Sequence, residues 1–165
     1  KPEIRLLVLQ HIFSKLGSQE QHIQQLRGRA AIAAAVAGLI ASFFGALMAP
    51  QLATLSGDAL LGLSLISAIG LFLLASSIGF SVLVAVHTFE FTFYFDTNKM
   101  LANLDAAQSS ADFVKRYAID GEWFFEDNER LIKKAHWHLW FAMVAGFSQI
   151  IPWVIVLSGV VRNVS

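Results

Sequence analysis

Lys115, Arg116, Trp123 and Arg130 are the residues of this 165-residue chain best suited to hold a ligand. An indole stacks on a flat base and a guanidinium or ammonium grips phosphate, so these types suit a small nucleotide. Tyr94, Tyr117, Phe124 and Phe125 enrich the same region in rings, and the competing reading is that they pack a helical bundle. Catalytic chemistry is harder to assemble. His136 and His138 flank Trp137, but positions two apart on a helix point about 200° away from each other and cannot share a metal. The acids Glu122, Glu126, Asp127 and Glu129 read as a solvated face. There is no Gly-rich phosphate loop, nucleophile elbow or H-E-x-x-H string. With no cysteine, thiolate nucleophiles, sulfur ligands and disulfides are excluded. The expectation is a non-enzyme with no catalytic residue, no metal and no cofactor.

The elements that must position these side chains are set by three uncharged apolar runs, Ala30 to Ala49, Ala59 to Val86 and Leu139 to Val161. A helix of about 20 apolar residues crosses the roughly 30 Å hydrocarbon core, and the runs are about 20, 28 and 23 residues long. The composition agrees, with 56% hydrophobic and 15% charged residues. The fold class expected is an all-α membrane protein with three transmembrane helices and a cytoplasmic helical region. No Asp, Glu, Lys, Arg or His lies within a run, which disfavours proton relays, voltage sensors and ion-coupled transport. The first run is too long and starts too far in to be a signal peptide, so a mature, anchored chain is expected.

Charge gives the runs a direction. Lys1, Arg5, Lys15, Arg27 and Arg29 precede the first, and Lys99, Lys115, Arg116, Arg130, Lys133 and Lys134 follow the second, whereas only Arg162 follows the third. Positive charge stays on the cytoplasmic side, which places the N-terminus in and the C-terminus out. Residues 1–29 and 87–138 are then cytoplasmic, 30–86 form a transmembrane hairpin (30–49 and 59–86), and 139–161 form the third span. Net charge is zero, so no duplex nucleic acid is expected as a partner.

In the cytoplasmic parts, Ile4, Val8, Ile12 and Leu16 predict an amphipathic helix ending near Gly17, with Ser18 capping a second helix that enters the membrane. Pro50 is expected to stop the first span and Asp58 to cap the second. Phe89, Phe91, Phe93 and Phe95 alternate as in a strand, but the second span is long enough to continue as a helix past the interface, with these rings as a collar. Ser109-Ser110-Ala111-Asp112 predicts a capped short helix, Asp120-Gly121 a break, and the chain from about Glu122 a single helix into the third span.

Inside the membrane, Ala31, Ala34, Gly38, Ala41 and Gly45 predict a small-residue seam on the first span. On the second, Leu63, Ser67, Gly70, Leu74, Ser77, Ser81 and Val84 form one stripe at heptad spacing. Ser67, Gly70, Ser77 and Ser81 serve either helix packing or the lining of a pore. Gln149 needs partners at mid-membrane depth, with Ser42, Ser76 or Ser77 as the expected ones, and Pro152 should bend the third span.

Two resemblances follow from these strings. The six-residue step from Arg130 to His136 is loosely similar to the spacing in HEPN ribonucleases. More of the chain resembles the small membrane effectors of bacterial anti-phage signalling, of the Pycsar and SLATT types. The residues concerned are Leu26-Arg27-Gly28-Arg29-Ala30 entering the first span, Phe93-Tyr94-Phe95 leaving the second, and Ser110-Ala111-Asp112-Phe113 with Asn128-Glu129-Arg130 leading into the third. The likeness lies mainly in the order of parts. It implies a homo-oligomer in the bacterial inner membrane, in contact with lipid, that answers a cyclic nucleotide signal and perturbs membrane integrity. A structural or accessory subunit of a larger membrane complex is the alternative.

Overall fold

The computed structural model describes residues 2–52, 58–86, 91–92, 101–102 and 109–164, and no strand occurs among them. Four long helices are defined among the described residues: α1 (Pro2–Leu52), α2 (Asp58–Ala85), α3 (Ser110–Ser148) and α4 (Ile150–Val164). Three stretches, Leu7–Ala49, Leu65–Ala85 and Ala111–Gly159, are long and apolar enough to cross a membrane. The chain divides into two compact units, residues 1–25 with 88–135 and residues 26–87 with 136–165.

α1 is unbroken where Gly17 and Ser18 predicted a boundary. The reason is a buried stripe that passes straight through that point: Ile12, Leu16, Gln19, Ile23, Leu26 and Ala30, at steps of four and three. One interior glycine costs about 1 kcal/mol, less than the burial on either side contributes. Ser18 turns its hydroxyl back to the Lys15 carbonyl at 3.1 Å instead of opening a new helix. Pro50 likewise does not end α1, which closes at Leu52.

The same correction applies at Asp120-Gly121. α3 runs from Ser110 to Ser148 without a break, and Gly121 is buried. Its start does follow the predicted cap: the Asp112 amide donates to Ser109 Oγ at 3.2 Å, and that hydroxyl donates to Asp112 Oδ2 at 2.6 Å. Where Gln or Glu would reach back to the cap's own amide, the shorter Asp meets its hydroxyl.

α2 ends at Ala85, and Phe91 and Thr92 are not helical, so the helix does not continue through an aromatic collar as expected. Phe89, Phe93, Tyr94 and Phe95 lie outside the described residues, as do residues 53–57 of the first hairpin's loop. In the third span the interruption falls at Gln149, between α3 and α4. Pro152 has no amide for the Ser148 carbonyl, and the turn sits where that bond is missing.

In the second unit the usual distribution of side chains is reversed. Leu39, Phe72 and Phe147 are exposed (70%, 71% and 60%), while Ser77 and Gln149 are fully buried. The most apolar windows of the three stretches are only 11%, 22% and 33% buried. In water that much apolar surface would drive association, whereas hydrocarbon solvates it, so the pattern fits a multi-pass membrane protein.

Candidate functional site

In the first unit a polar clasp ties α1 to α3. Gln19 Nε2 donates to the Phe125 carbonyl at 3.0 Å, and Asn128 Nδ2 donates to Gln19 Oε1 at 3.3 Å. The same Asn128 amide engages the backbone of Thr92 in both directions, accepting its N–H at 3.0 Å and donating to its carbonyl at 2.8 Å. A primary amide can mimic a peptide group in this way because it carries a donor and an acceptor side by side. One helical turn before Gln19 on α1 and before Phe125 on α3, Lys15 Nζ lies 3.2 Å from both Glu122 oxygens, and it sits 4.7 Å from the Phe125 ring centre. Glu122 is thus engaged in an ion pair, and on the same helix Glu129 pairs with Lys133 at 2.9 Å.

Arg116, Trp123 and Arg130 are each exposed and share one face of α3. Successive members are seven residues apart, about 10 Å along the axis and within about 20° around it. Trp123 is 63% exposed, with Phe124 against its edge at 5.5 Å between ring centres. Lys115 is also exposed but lies one residue away, about 100° around the helix. Among the other described rings of the predicted ligand region, Tyr117 is buried and Phe124 and Phe125 are half-buried, so among the described residues of that region Trp123 alone is an exposed ring.

In the second unit the packing converges on Gly146. A Cβ built there would lie 3.0 Å from Ser77 Oγ, 3.8 Å from Ser77 Cβ and 3.5 Å from Ala37 Cβ, so α1, α2 and α3 all meet at this point. Ser77 Oγ donates to the Ala142 carbonyl at 2.8 Å. Gln149 Nε2 donates to the Ala37 carbonyl at 2.9 Å, which replaces the predicted serine partners with backbone. Ser76 instead bonds Phe72 O within its own helix at 2.8 Å. Gly70 admits the Trp153 indole, whose Cε2 would be 3.0 Å from an added Cβ, and Trp153 packs with Met48 and Val156.

Gly70, Ser77, Ser81 and Val84 are therefore buried by the chain's own helices, and Ser67 is half-buried. Ser81 Oγ is buried with no hydrogen-bond partner among the described residues. The face of α1 that packs is Ala30, Ala37 and Met48, not the predicted seam. Ala31 and Gly45 of that seam are exposed, and an added Cβ at Gly38 or Gly45 would meet nothing within 4 Å. The clasp residues Gln19 and Asn128 carry no motif. Their signal in the sequence is an amide standing in an otherwise apolar stripe.

Among the described residues no group of three or more His, Asp or Glu stands close enough to hold a metal ion. His138 stacks on Phe80 at 5.9 Å and His136 is exposed. Arg130 belongs to the first unit and His136 to the second. No known protein family, curated protein or solved structure matches this chain.

Proposed function

We propose that this chain is a non-enzymatic effector of the bacterial inner membrane that acts in anti-phage defence. Its cytoplasmic helices receive a cyclic nucleotide signal, and its spans then perturb membrane integrity. The observation that carries the reading is the exposed face of Arg116, Trp123 and Arg130. There an aromatic plane for a base is flanked by two guanidinium groups for phosphate, and neither has an ion pair among the described residues.

Packing supports a resting, closed state. Ser77 is bonded to α3 and Gly70 is filled by Trp153 of α4, so the buried part of the stripe becomes available to water only if α2 leaves both helices. Homo-oligomerisation is supported by the open small-residue face of α1 at Gly38 and Gly45, which allows close backbone approach between copies. The accessory-subunit reading relied on the small-residue seams and Gln149 as docking groups, and Gln149 already bonds within the chain.

The test is inducible expression with a membrane-potential dye, with and without 3′,5′-cyclic mononucleotides supplied one base at a time. Depolarisation with one of them is expected. No depolarisation under any of them contradicts the proposal.

A further inference from the structure

Within the second unit α1 and α3 leave an apolar groove of about 430 Å³. Ile32, Val36, Leu139, Met143 and Phe147 form its walls, and the small residues Ala33, Ala37 and Gly146 leave the space open. Ala37 meets Gly146 and bonds Gln149, so the last lining residues of the two helices lie together. Arg29 and His136, the first lining residues on their helices, consequently mark the same end.

Three properties identify the occupant. The lining from His136 to Phe147 covers about 16 Å at 1.5 Å per residue, close to half of the roughly 30 Å hydrocarbon core, which is the depth of one leaflet. Apolar walls of that length suit a hydrocarbon tail. The charge is confined to one end and is positive: no acidic residue lines the groove, and Arg29 is exposed with no hydrogen bond or ion pair among the described residues. Trp140 also lines the groove, and an indole of this kind favours the headgroup boundary.

We propose that the groove holds one acyl chain of an anionic phospholipid, with the headgroup phosphate on Arg29. A tail alone would be indifferent to the guanidinium, and a free anion would gain nothing from the walls. A lipid bearing negative charge satisfies both ends of the site. The inference rests on the membrane placement of α1 and α3 and is independent of the nucleotide face.

The experiment is native mass spectrometry of the purified full chain in detergent, with equimolar phosphatidylglycerol and phosphatidylcholine carrying identical acyl chains. Wild type should retain phosphatidylglycerol over phosphatidylcholine by about fivefold, the ratio that one basic residue near a headgroup gives. Arg29→Gln should bring the ratio close to one and Arg29→Lys should keep most of it. Ala33→Phe, which fills the groove, should lower retention of both lipids with helicity unchanged by circular dichroism. Equal retention of the two lipids by wild type, or the same preference in Arg29→Gln, overturns the headgroup assignment. Undiminished binding in Ala33→Phe overturns the groove as the tail's site. Displacement of the bound lipid by excess glycerol phosphate alone would show a free-phosphate site and overturn the proposal as well.

Discussion

The Asn128 side chain holds the backbone of Thr92 from both sides, its Oδ1 accepting the Thr92 N–H at 3.0 Å and its Nδ2 donating to the Thr92 carbonyl at 2.8 Å. Asn128 is buried and also bonds Gln19, so one amide ties together α1, α3 and the segment at Thr92. Asn128→Ala removes all three bonds and leaves Gln19 Oε1 buried without its donor. The expected loss is about 2 kcal/mol, read as a lower thermal midpoint in detergent. An unchanged midpoint would show that the clasp contributes nothing to stability.

At the three-helix junction, Gly146→Ala places a methyl 3.0 Å from Ser77 Oγ. Overpacking of this kind costs about 1 kcal/mol or more. Ser77→Ala removes the same oxygen and loses one hydrogen bond, so the double substitution should cost less than the two single costs added together. A double-mutant cycle measures this directly, and strict additivity would contradict the contact.

Gln149 is expected to contribute little. It donates to the Ala37 carbonyl, while its Oε1 is buried without a partner among the described residues. Gln149→Leu exchanges a half-satisfied amide for an apolar side chain of similar size and should change stability by less than about 1 kcal/mol. Gln149→Glu buries a carboxyl at the same place and should be clearly destabilising. Thermal unfolding of both variants checks the ordering.

The exposed face of α3 makes a prediction of the opposite kind. Arg116→Glu with Arg130→Glu should leave the thermal midpoint unchanged because both side chains face solvent. If the proposed nucleotide site is right, sensitivity to the cyclic nucleotide should fall by at least about tenfold, the value of one lost charge-assisted hydrogen bond. A full response in the double variant would remove these arginines from the site.

The apolar runs were legible because their length and lack of charge answer to the thickness of a bilayer and to nothing subtler. Helix ends were not. Gly17 and Gly121 look like stops to a local reading, yet each lies on a helix whose buried stripe continues on both sides: Leu16 to Gln19 across the first, and Tyr117 to Asn128 across the second. Burial over several turns outweighs one residue's propensity. The partner of Gln149 was hidden for another reason. It is a backbone carbonyl, and since every residue carries one, no side-chain pattern could have pointed to Ala37. The packing face of α1 was obscured by the abundance of alanine, which made several seams look alike. Of the predicted ligand residues, the spacing of Arg116, Trp123 and Arg130 was open to view as two heptad steps, while the burial of Tyr117 depends on tertiary contacts.

Under the proposed function the closed packing of α2 on α3 must open before the membrane is perturbed, and the absence of native cysteine makes this directly testable. A Cβ at Gly146 would lie 3.8 Å from Ser77 Cβ, the separation typical of a disulfide. The measurement is dye release from vesicles carrying the purified Ser77→Cys, Gly146→Cys chain, with the activating cyclic nucleotide, before and after oxidation. Release on reduction and none in the oxidised form is the predicted result. Equal release from both forms, with the crosslink verified by mass, would contradict the account.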